Sequence, residues 1–386
     1  MKKKAIGMMS GTSLDAIDLV LCEIEGSYLD TKITEIAFES FPFNEALRQK
    51  TLKAIQLEHS NAKDLCSLNF ELGYAFSDCV NQFLANNHLK PDDIYFIASH
   101  GQTIYHIPMD EDNHLRSTLQ LGDGSIISNL TGITTISNFR TADMALGGQG
   151  APLVPYAEYL MYSSKEKNRA MHNLGGISNL TVLNKDLNED LVFAFDTGPA
   201  NMMIDYGMRV LYKKTYDAFG QIARQGKLIK AMYDEVMSES YFKLLPPKST
   251  GRELFGDDYT KRLLDKYALN KHEDIIHTLT KITSDSIIEA YQTNVLNKVA
   301  IDEIIFSGGG AYNQYLIELI QQGLPNIEVR RLEDLGFNSQ SKEATAFVVL
   351  GNETLQGHYN HLLNATGANR YGVLGQISLS YKRVKK

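Results

Sequence analysis

Apolar and polar positions alternate from the start of the chain. Lys3 to Met9 reads as a short strand, Ser10-Gly11-Thr12-Ser13 as a turn, and Asp15 to Glu25 as a second strand with Ile17, Leu19, Leu21 and Ile24 at its alternate positions. Thr31 to Phe41 predicts a third strand. The period then changes. Asn44 to Leu57 and Asn61 to Asn87 read as helices, the second with Leu65, Leu68, Leu72, Phe76, Val80 and Phe83 at helical spacing. Asp92 to Ser99 predicts an apolar strand that runs into His100-Gly101-Gln102-Thr103. From Gly122 to Pro155 glycine punctuates the chain and loops are expected. Arg169 to Asn173 and Asn179 to Leu183 predict a strand pair around NLGGISN. Leu191 to Phe195 predicts a strand ending at Asp196, with a helix after Pro199, since proline suits a first helical turn. Asp217 to Tyr259 reads as helices interrupted by LLPPKSTGRELFG. His272 to Asn297 predicts an amphipathic helix, Glu303 to Ser307 a strand, and Glu343 to Leu355 a helix. Strands alternating with helices define an α/β protein, in which ligands bind beyond the carboxyl ends of strands.

Composition narrows this picture. At 386 residues the chain exceeds what one core usually serves and predicts about two domains. Apolar residues make up 43% and charged residues 22%, an ordinary globular balance. A net charge of -8 argues against a nucleic-acid surface, which needs a basic stripe, although backbone amides can bind phosphate on an acidic protein. Cys22, Cys66 and Cys79 lack metal-ligand spacing and read as buried, reduced thiols. The apolar run after Lys2-Lys3-Lys4 is too short for a signal peptide, and no stretch is long enough for a membrane span. A cytoplasmic protein without membrane partners is therefore expected.

The chemistry gathers in four Gly-rich turns, each after an apolar strand: GMMSGTSLDAID, NLGGISN, FDTGPAN and SGGGAYN. Amides exposed in such turns bind phosphate oxygens, and the competing reading is plain turn chemistry. Neither a P-loop nor a dinucleotide-binding fingerprint is present. Asp196-Thr197-Gly198 matches the aspartic-protease triplet, but that chemistry needs two carboxylates sharing a proton, and no second copy exists. Asp196 could alternatively cap a helix starting at Pro199. His100 and His106 have no metal-site spacing and read as a loop histidine and a packed one. SHGQT, NFRTAD and GGQGAPLVP place a histidine, an arginine and several amides in loops. Arg140 suits a carboxylate-bearing ligand by bidentate bonding, or else a surface ion pair.

Taken in order from residue 7 to residue 347, GMMSGTSLDAID, SHGQTIYH, NFRTADMALGGQGAPLVP, NLGGISN, FDTGPANMMID, PPKSTGRELFG, FSGGGAYN and KEATAF resemble the anhydro-N-acetylmuramic acid kinases. The resemblance implies two actin-like ATPase domains of ribonuclease-H-like build flanking a cleft, the first spanning 1–138 with 344–386 and the second 139–343. It implies a coupled reaction in bacterial cell-wall recycling: hydrolytic opening of the 1,6-anhydro bridge and phosphorylation of oxygen 6 by ATP with Mg²⁺. Asp196 would be the base. Gly11, Thr12, Ser13, Leu14, Asp15, Ala16, Ile17 and Asp18 would form the first phosphate hairpin. Gly175, Gly198, Gly308, Gly309, Gly310 and Asn313 would also serve the nucleotide, the three consecutive glycines near adenosine. His100, Gln102, Arg140 and Glu343 would hold the sugar, and a homodimer is implied. The family usually carries glycine where this chain has Ala16, a change that a backbone at negative φ tolerates. A kinase of another small molecule and an actin-like nucleotide switch are the alternatives. They would differ in acceptor sugar and in assembly on ATP.

Overall fold

The opening alternation folds as two antiparallel strands, β1 (Lys3–Ser10) and β2 (Ala16–Glu25), in register from Lys3 opposite Ile24 to Ser10 opposite Ile17. β3 (Lys32–Pro42) extends the meander. Two helices follow, each opened by the asparagine where the apolar period changes. Asn44 Oδ1 accepts from the amides of Ala46 and Leu47 at the head of α1 (Glu45–Ile55). Asn61 Oδ1 accepts from Asp64 N at the head of α2 (Ala62–Asn86). A side-chain oxygen at this position satisfies amides that have no partner within the helix.

Next come β4 (Phe96–Ser99) and a separate hairpin of β5 (Gln102–Ile107) and β6 (Ser117–Leu121). The Gly-rich middle is not a loop. It holds α3 (Gly124–Thr131), β7 (Thr135–Ser137), α4 (Phe139–Ala145) and the start of α5 (Val154–Tyr162). These elements are short, so glycine and proline punctuation hides their period; Asp123 caps α3 by accepting from Ser125 N at 2.7 Å.

β8 (Arg169–Leu174), β9 (Ile177–Leu183) and β10 (Phe193–Pro199) form a second meander, followed by α6 (Asn201–Tyr212), α7 (Lys230–Met237), α8 (Arg252–Phe255), α9 (Asp257–Lys266) and α10 (His272–Ala290). β10 runs past Asp196 to Pro199, so Pro199 closes a strand rather than opening the helix. Regular α-helix stops at Ala290, and residues 291–295 form a π turn where one continuous helix is predicted. β11 (Glu303–Ser307), α11 (Gln314–Gly323), β12 (Glu328–Arg331), α12 (Lys342–Gln356) and β13 (Gln376–Ser378) complete the regular elements.

These coordinates are a computed structural model, which describes residues 2–381; Met1 and residues 382–386, included in the first predicted domain, lie outside the described residues. The chain divides into two compact units, 1–162 with 340–386, and 163–339. In the first, the sheet order is β13-β7-β4-β1-β2-β3, with β1–β2–β3 antiparallel and β1, β4 and β7 parallel. In the second, the order is β10-β9-β8-β11-β12, again an antiparallel meander whose first strand continues through two parallel strands. The same five-strand order thus occurs twice, without sequence repetition, and it is the ribonuclease-H-like order.

Each unit has its own core. In the first, Leu72, Phe76, Val80 and Phe83 of α2 pack on Ile6, Met8, Leu19 and Leu21 of the sheet; truncating such a ring to alanine costs about 3–5 kcal/mol. α12 lies so close to β1 that a Cβ on Gly7 would stand 2.0 Å from the carbonyl oxygen of Ala344. In the second unit, Leu174, Leu180, Phe195, Ile304 and Phe306 pack with Ile287, Tyr291 and Ile320.

The boundaries differ from the predicted 138 and 343. α4 and α5 belong to the first unit because α5 packs against α12. Tyr156 donates to the Tyr359 carbonyl at 2.7 Å, and the buried Lys342 ammonium pairs with buried Glu158 at 2.5 Å. Of the three cysteines, Cys22 is buried, Cys79 half-buried and Cys66 exposed on α2.

Candidate active site

In the first unit the β1–β2 turn is braced from below. Leu14 N donates to Gly11 O at 3.3 Å, and Leu14 takes a positive φ of 56° with its side chain fully buried. Ile17 is buried too. Thr12, Ser13 and Asp15 face solvent, so the turn presents backbone amides and small polar groups outward. Ala16 is not among the positive-φ residues and pairs with Pro42, which explains why its methyl is accommodated. Asp18 is half-buried and accepts from Ser40 Oγ at 2.6 Å; burial raises its carboxyl above the usual range.

Gln102 is fully buried at the start of β5. Its Oε1 accepts from Ser10 Oγ at 2.5 Å, and its amide donates to the carbonyls of Gly11 and Thr103. Gln102 therefore holds the turn rather than presenting its amide to a ligand.

His100 lies in the loop after β4, as expected, and is buried there. Its Nε2 faces Arg140 Nη2 at 2.7 Å and Arg140 Nε at 3.3 Å, and its Nδ1 faces the carbonyls of Gly101 at 2.8 Å and Ser10 at 3.2 Å. Guanidinium only donates and carbonyls only accept. The network thus assigns the neutral tautomer with the proton on Nδ1, and burial beside Arg140 lowers the pKa to about 3. Both ring nitrogens are occupied, so His100 orients Arg140. His106 is half-buried on β5, with Nδ1 3.1 Å from Thr118 Oγ1.

Arg140 sits in the first turn of α4, not in a loop. Its Nη1 donates to Gly150 O at 2.7 Å. Three N–H groups are committed, to His100 and Gly150, out of the five that a guanidinium carries. Glu343, in the first turn of α12, is open to solvent. Protein atoms crowding its carboxyl, with Asp18 and Glu158 nearby, raise its pKa against the pull of Lys342 and Arg140.

In the second unit the other three Gly-rich turns converge. The β8–β9 turn accepts from the segment after β10: Ala200 N donates to Gly176 O and Asn201 N to Gly175 O. Asn201 Nδ2 also donates to the carbonyls of Leu174 and Gly175. The turn after β11 packs onto the same place. Gly308 has φ 81°, and a Cβ there would lie 2.8 Å from both Asn173 Oδ1 and Leu174 O. A Cβ on Gly310 would lie 2.7 Å from Leu174 Cβ, whereas at Gly309 it would meet only Asn201 Nδ2, at 3.8 Å. Asn313 is buried, and its Oδ1 caps α11 by accepting from Leu316 N at 3.1 Å.

Asp196 lies where the β9–β10 register shifts, between Asp196 and Gly198. It caps no helix. Its Oδ2 accepts from Thr250 N at 2.9 Å, its own amide donates to Lys248 O, and its carbonyl accepts from Tyr241 Oη at 2.7 Å. Lys248 and Thr250 belong to the LLPPKSTGRELFG segment, and Tyr241 lies just before it. Burial pushes the carboxyl up to about 6; the Thr250 amide and Lys248 pull it down, and Glu253 adds to the rise. The half-buried carboxylate has one oxygen held and the other without a protein partner among the described residues.

A sequence profile for anhydro-N-acetylmuramic acid kinase matches residues 3–380. The chain belongs to the anhydro-N-acetylmuramic acid kinase family. It is 50% identical over 376 residues to the anhydro-N-acetylmuramic acid kinase of Francisella tularensis subsp. novicida, covering 97% of this chain and 98% of the relative. The corresponding kinase of Clostridioides difficile is 44% identical over 374 residues, covering 97% and 98%. That of Bacillus cereus strain AH820 is 43% identical, covering 96% and 98%.

Several residues around these groups carry no individual signal in the sequence. Thr250 and Lys248 lie inside PPKSTGRELFG, and Asp143 and Gly150 inside NFRTAD and GGQGAPLVP. Membership of those segments, which carry the family resemblance, is the one signal that marks them. His361 lies outside every such segment.

Proposed function

We propose that this chain is an ATP-dependent kinase that opens 1,6-anhydro-N-acetylmuramic acid with water and phosphorylates oxygen 6, giving N-acetylmuramic acid 6-phosphate. The observation that carries the mechanism is the Asp196 carboxylate. Its Oδ2 is fixed by the Thr250 amide, and its pKa of about 6 leaves it ionised yet basic near neutral pH. A base with a pKa near the working pH combines the right protonation state with real proton affinity.

In this reading the oxygen of a water molecule attacks carbon 1 while Asp196 accepts its proton. The bond from carbon 1 to oxygen 6 breaks, and oxygen 6 takes the γ-phosphoryl group of ATP, releasing ADP. Positioning and charge neutralisation dominate such transfer. The amides of residues 11–13 and of the turns at Gly175, Gly198 and Gly308–Gly310 are the groups that would bind nucleotide. Among the described residues no group of three or more carboxylates, histidines or cysteines could hold a metal ion. Mg²⁺ keeps several waters and takes one or two carboxylates plus phosphates, and the half-buried Asp18 carboxylate of the hairpin would be its protein ligand. The ion would neutralise phosphate charge.

The two uncommitted N–H groups of Arg140 fit the carboxylate of a muramic acid, with Glu343 beside it for the sugar's hydroxyl or amide groups. His100 and Gln102 serve by holding Arg140 and the hairpin. The reading includes a cytoplasmic location, and the family resemblance supports a homodimer. The test is product analysis after incubation with ATP, Mg²⁺ and the anhydro-sugar in ¹⁸O-water. Label at carbon 1 together with phosphate on oxygen 6 is expected. Phosphate without label, or turnover of an ordinary hexose alone, would defeat the reading.

A further inference from the structure

Behind Arg140 stands a polar pair that the proposed chemistry does not use. Asp143, one turn on along α4, is fully buried, and so is His361. His361 Nδ1 lies 2.7 Å from Asp143 Oδ1, and His361 Nε2 accepts from Gly372 N at 3.0 Å. An amide can only donate, so Nε2 carries no proton and His361 is the neutral tautomer that donates from Nδ1. Asp143 Oδ2 accepts from Gly150 N at 2.7 Å, and the Asp143 carbonyl accepts from Gly148 N at 3.0 Å. The same Gly150 peptide gives its carbonyl to Arg140 Nη1. Arg140 and Asp143 thus hold opposite ends of one peptide unit, the carboxylate on the N–H side and the guanidinium on the carbonyl side.

This arrangement answers a question of electrostatics. An ionised carboxylate is costly to bury unless its lone pairs are satisfied and a counter-charge is near. Here two N–H donors reach its oxygens, and Arg140 is close enough to feel its charge. A surface arginine needs no such apparatus. One whose remaining N–H groups must meet a planar anion does, because bidentate bonding demands a fixed fork.

We propose that Asp143 and His361 are positioning residues that aim the Arg140 guanidinium at the sugar's carboxylate, acting through the Gly150 peptide. The proposal rests on the reading of Arg140 as the sugar's anchor, and the experiment separates the two. Sugar and ATP Michaelis constants are measured for Arg140→Ala, Asp143→Asn, the Arg140→Ala/Asp143→Asn double variant, His361→Asn and His361→Gln, each checked for a cooperative thermal transition.

Asparagine in place of Asp143 puts an NH₂ group against one of two N–H donors and removes the charge, so one bond is lost. The sugar constant should rise about ten-fold, the scale of one hydrogen bond to a charged group, with the ATP constant within about two-fold. In the double variant Asp143→Asn should add nothing to the effect of Arg140→Ala. His361→Asn keeps a donor at the Nδ1 position, towards Asp143. His361→Gln instead reaches the Nε2 position, towards Gly372. If His361 positions Arg140, the asparagine variant retains the lower sugar constant. If it merely anchors the Gly372 segment, the glutamine variant does better, and the proposal fails. Should Asp143→Asn not fold, this His361 comparison decides alone. An additive double variant overturns the positioning role while leaving Arg140 as anchor. An unchanged sugar constant in Arg140→Ala overturns both.

Discussion

Replacing Asp196 by Asn tests the catalytic reading most directly, because the structure lets the charge be removed with little else. The Asn side-chain oxygen can still accept from Thr250 N, as Asp196 Oδ2 does at 2.9 Å, so the loop that carries Thr250 keeps its tether. Loss of a positioned base typically costs ~10²–10⁴-fold in rate. The kcat should fall by that factor, while nucleotide affinity measured by calorimetry stays within about three-fold. The wild type should also lose kcat/KM at low pH. With a pKa of about 6, the carboxylate is about 97% ionised at pH 7.5 and about 10% ionised at pH 5, so kcat/KM should fall about ten-fold across that range.

Stability supplies an independent sign. Burial raises the folded carboxyl from 3.8 to about 6, so above pH 6 the folded state carries a charge it would rather not hold. Such a rise is worth at most about 3 kcal/mol, and solvent access to this half-buried group reduces it to about 1–2 kcal/mol. Asp196→Asn should therefore unfold at higher denaturant than the wild type at pH 7.5. The gain should vanish at pH 4, where the folded wild-type carboxyl is already protonated. A variant with near-normal kcat removes Asp196 from the role of base. A variant no more stable at pH 7.5 refutes the burial argument behind its pKa.

Other perturbations follow from the same geometry. Arg140→Ala should raise the sugar Michaelis constant by about ten-fold or more, the loss of a charged hydrogen-bond pair, with little change for ATP in steady-state assays. Gly308→Ala places a methyl 2.8 Å from Asn173 Oδ1 at a φ of 81°, and should cost about 1–3 kcal/mol of stability in urea titrations, together with weaker nucleotide binding. Lys342→Met removes the cation beside buried Glu158 and should cost about 3–5 kcal/mol; the double variant Lys342→Met/Glu158→Leu should recover most of that loss.

The local code was legible where one period persisted. Asn44 and Asn61 mark their helices because an asparagine at a period change satisfies free amides, and the strand at Glu303–Ser307 is read to the residue from its apolar run and following glycines. α3, β7 and α4 were invisible for the opposite reason: three to eight residues hold too few turns or alternations to show a period against glycine punctuation. Asp196 could be singled out as chemically loaded, though its reading as a base came from family resemblance.

What no local pattern could supply was its partner. Thr250 stands 54 residues away, and it is that amide, with burial in the second unit, that sets which oxygen of Asp196 is free and how basic it is. His361 and Asp143 meet across 218 residues. The composition and order of residues by themselves determine two α/β units, four glycine turns and an acidic residue at a strand end. The hydrogen bonds that hold Asp196 to Thr250 and Asp143 to His361 are long-range pairings. Only the packed sheets and helices decide it, because a polar side chain buried by folding must find whichever donor the tertiary structure brings within about 3 Å.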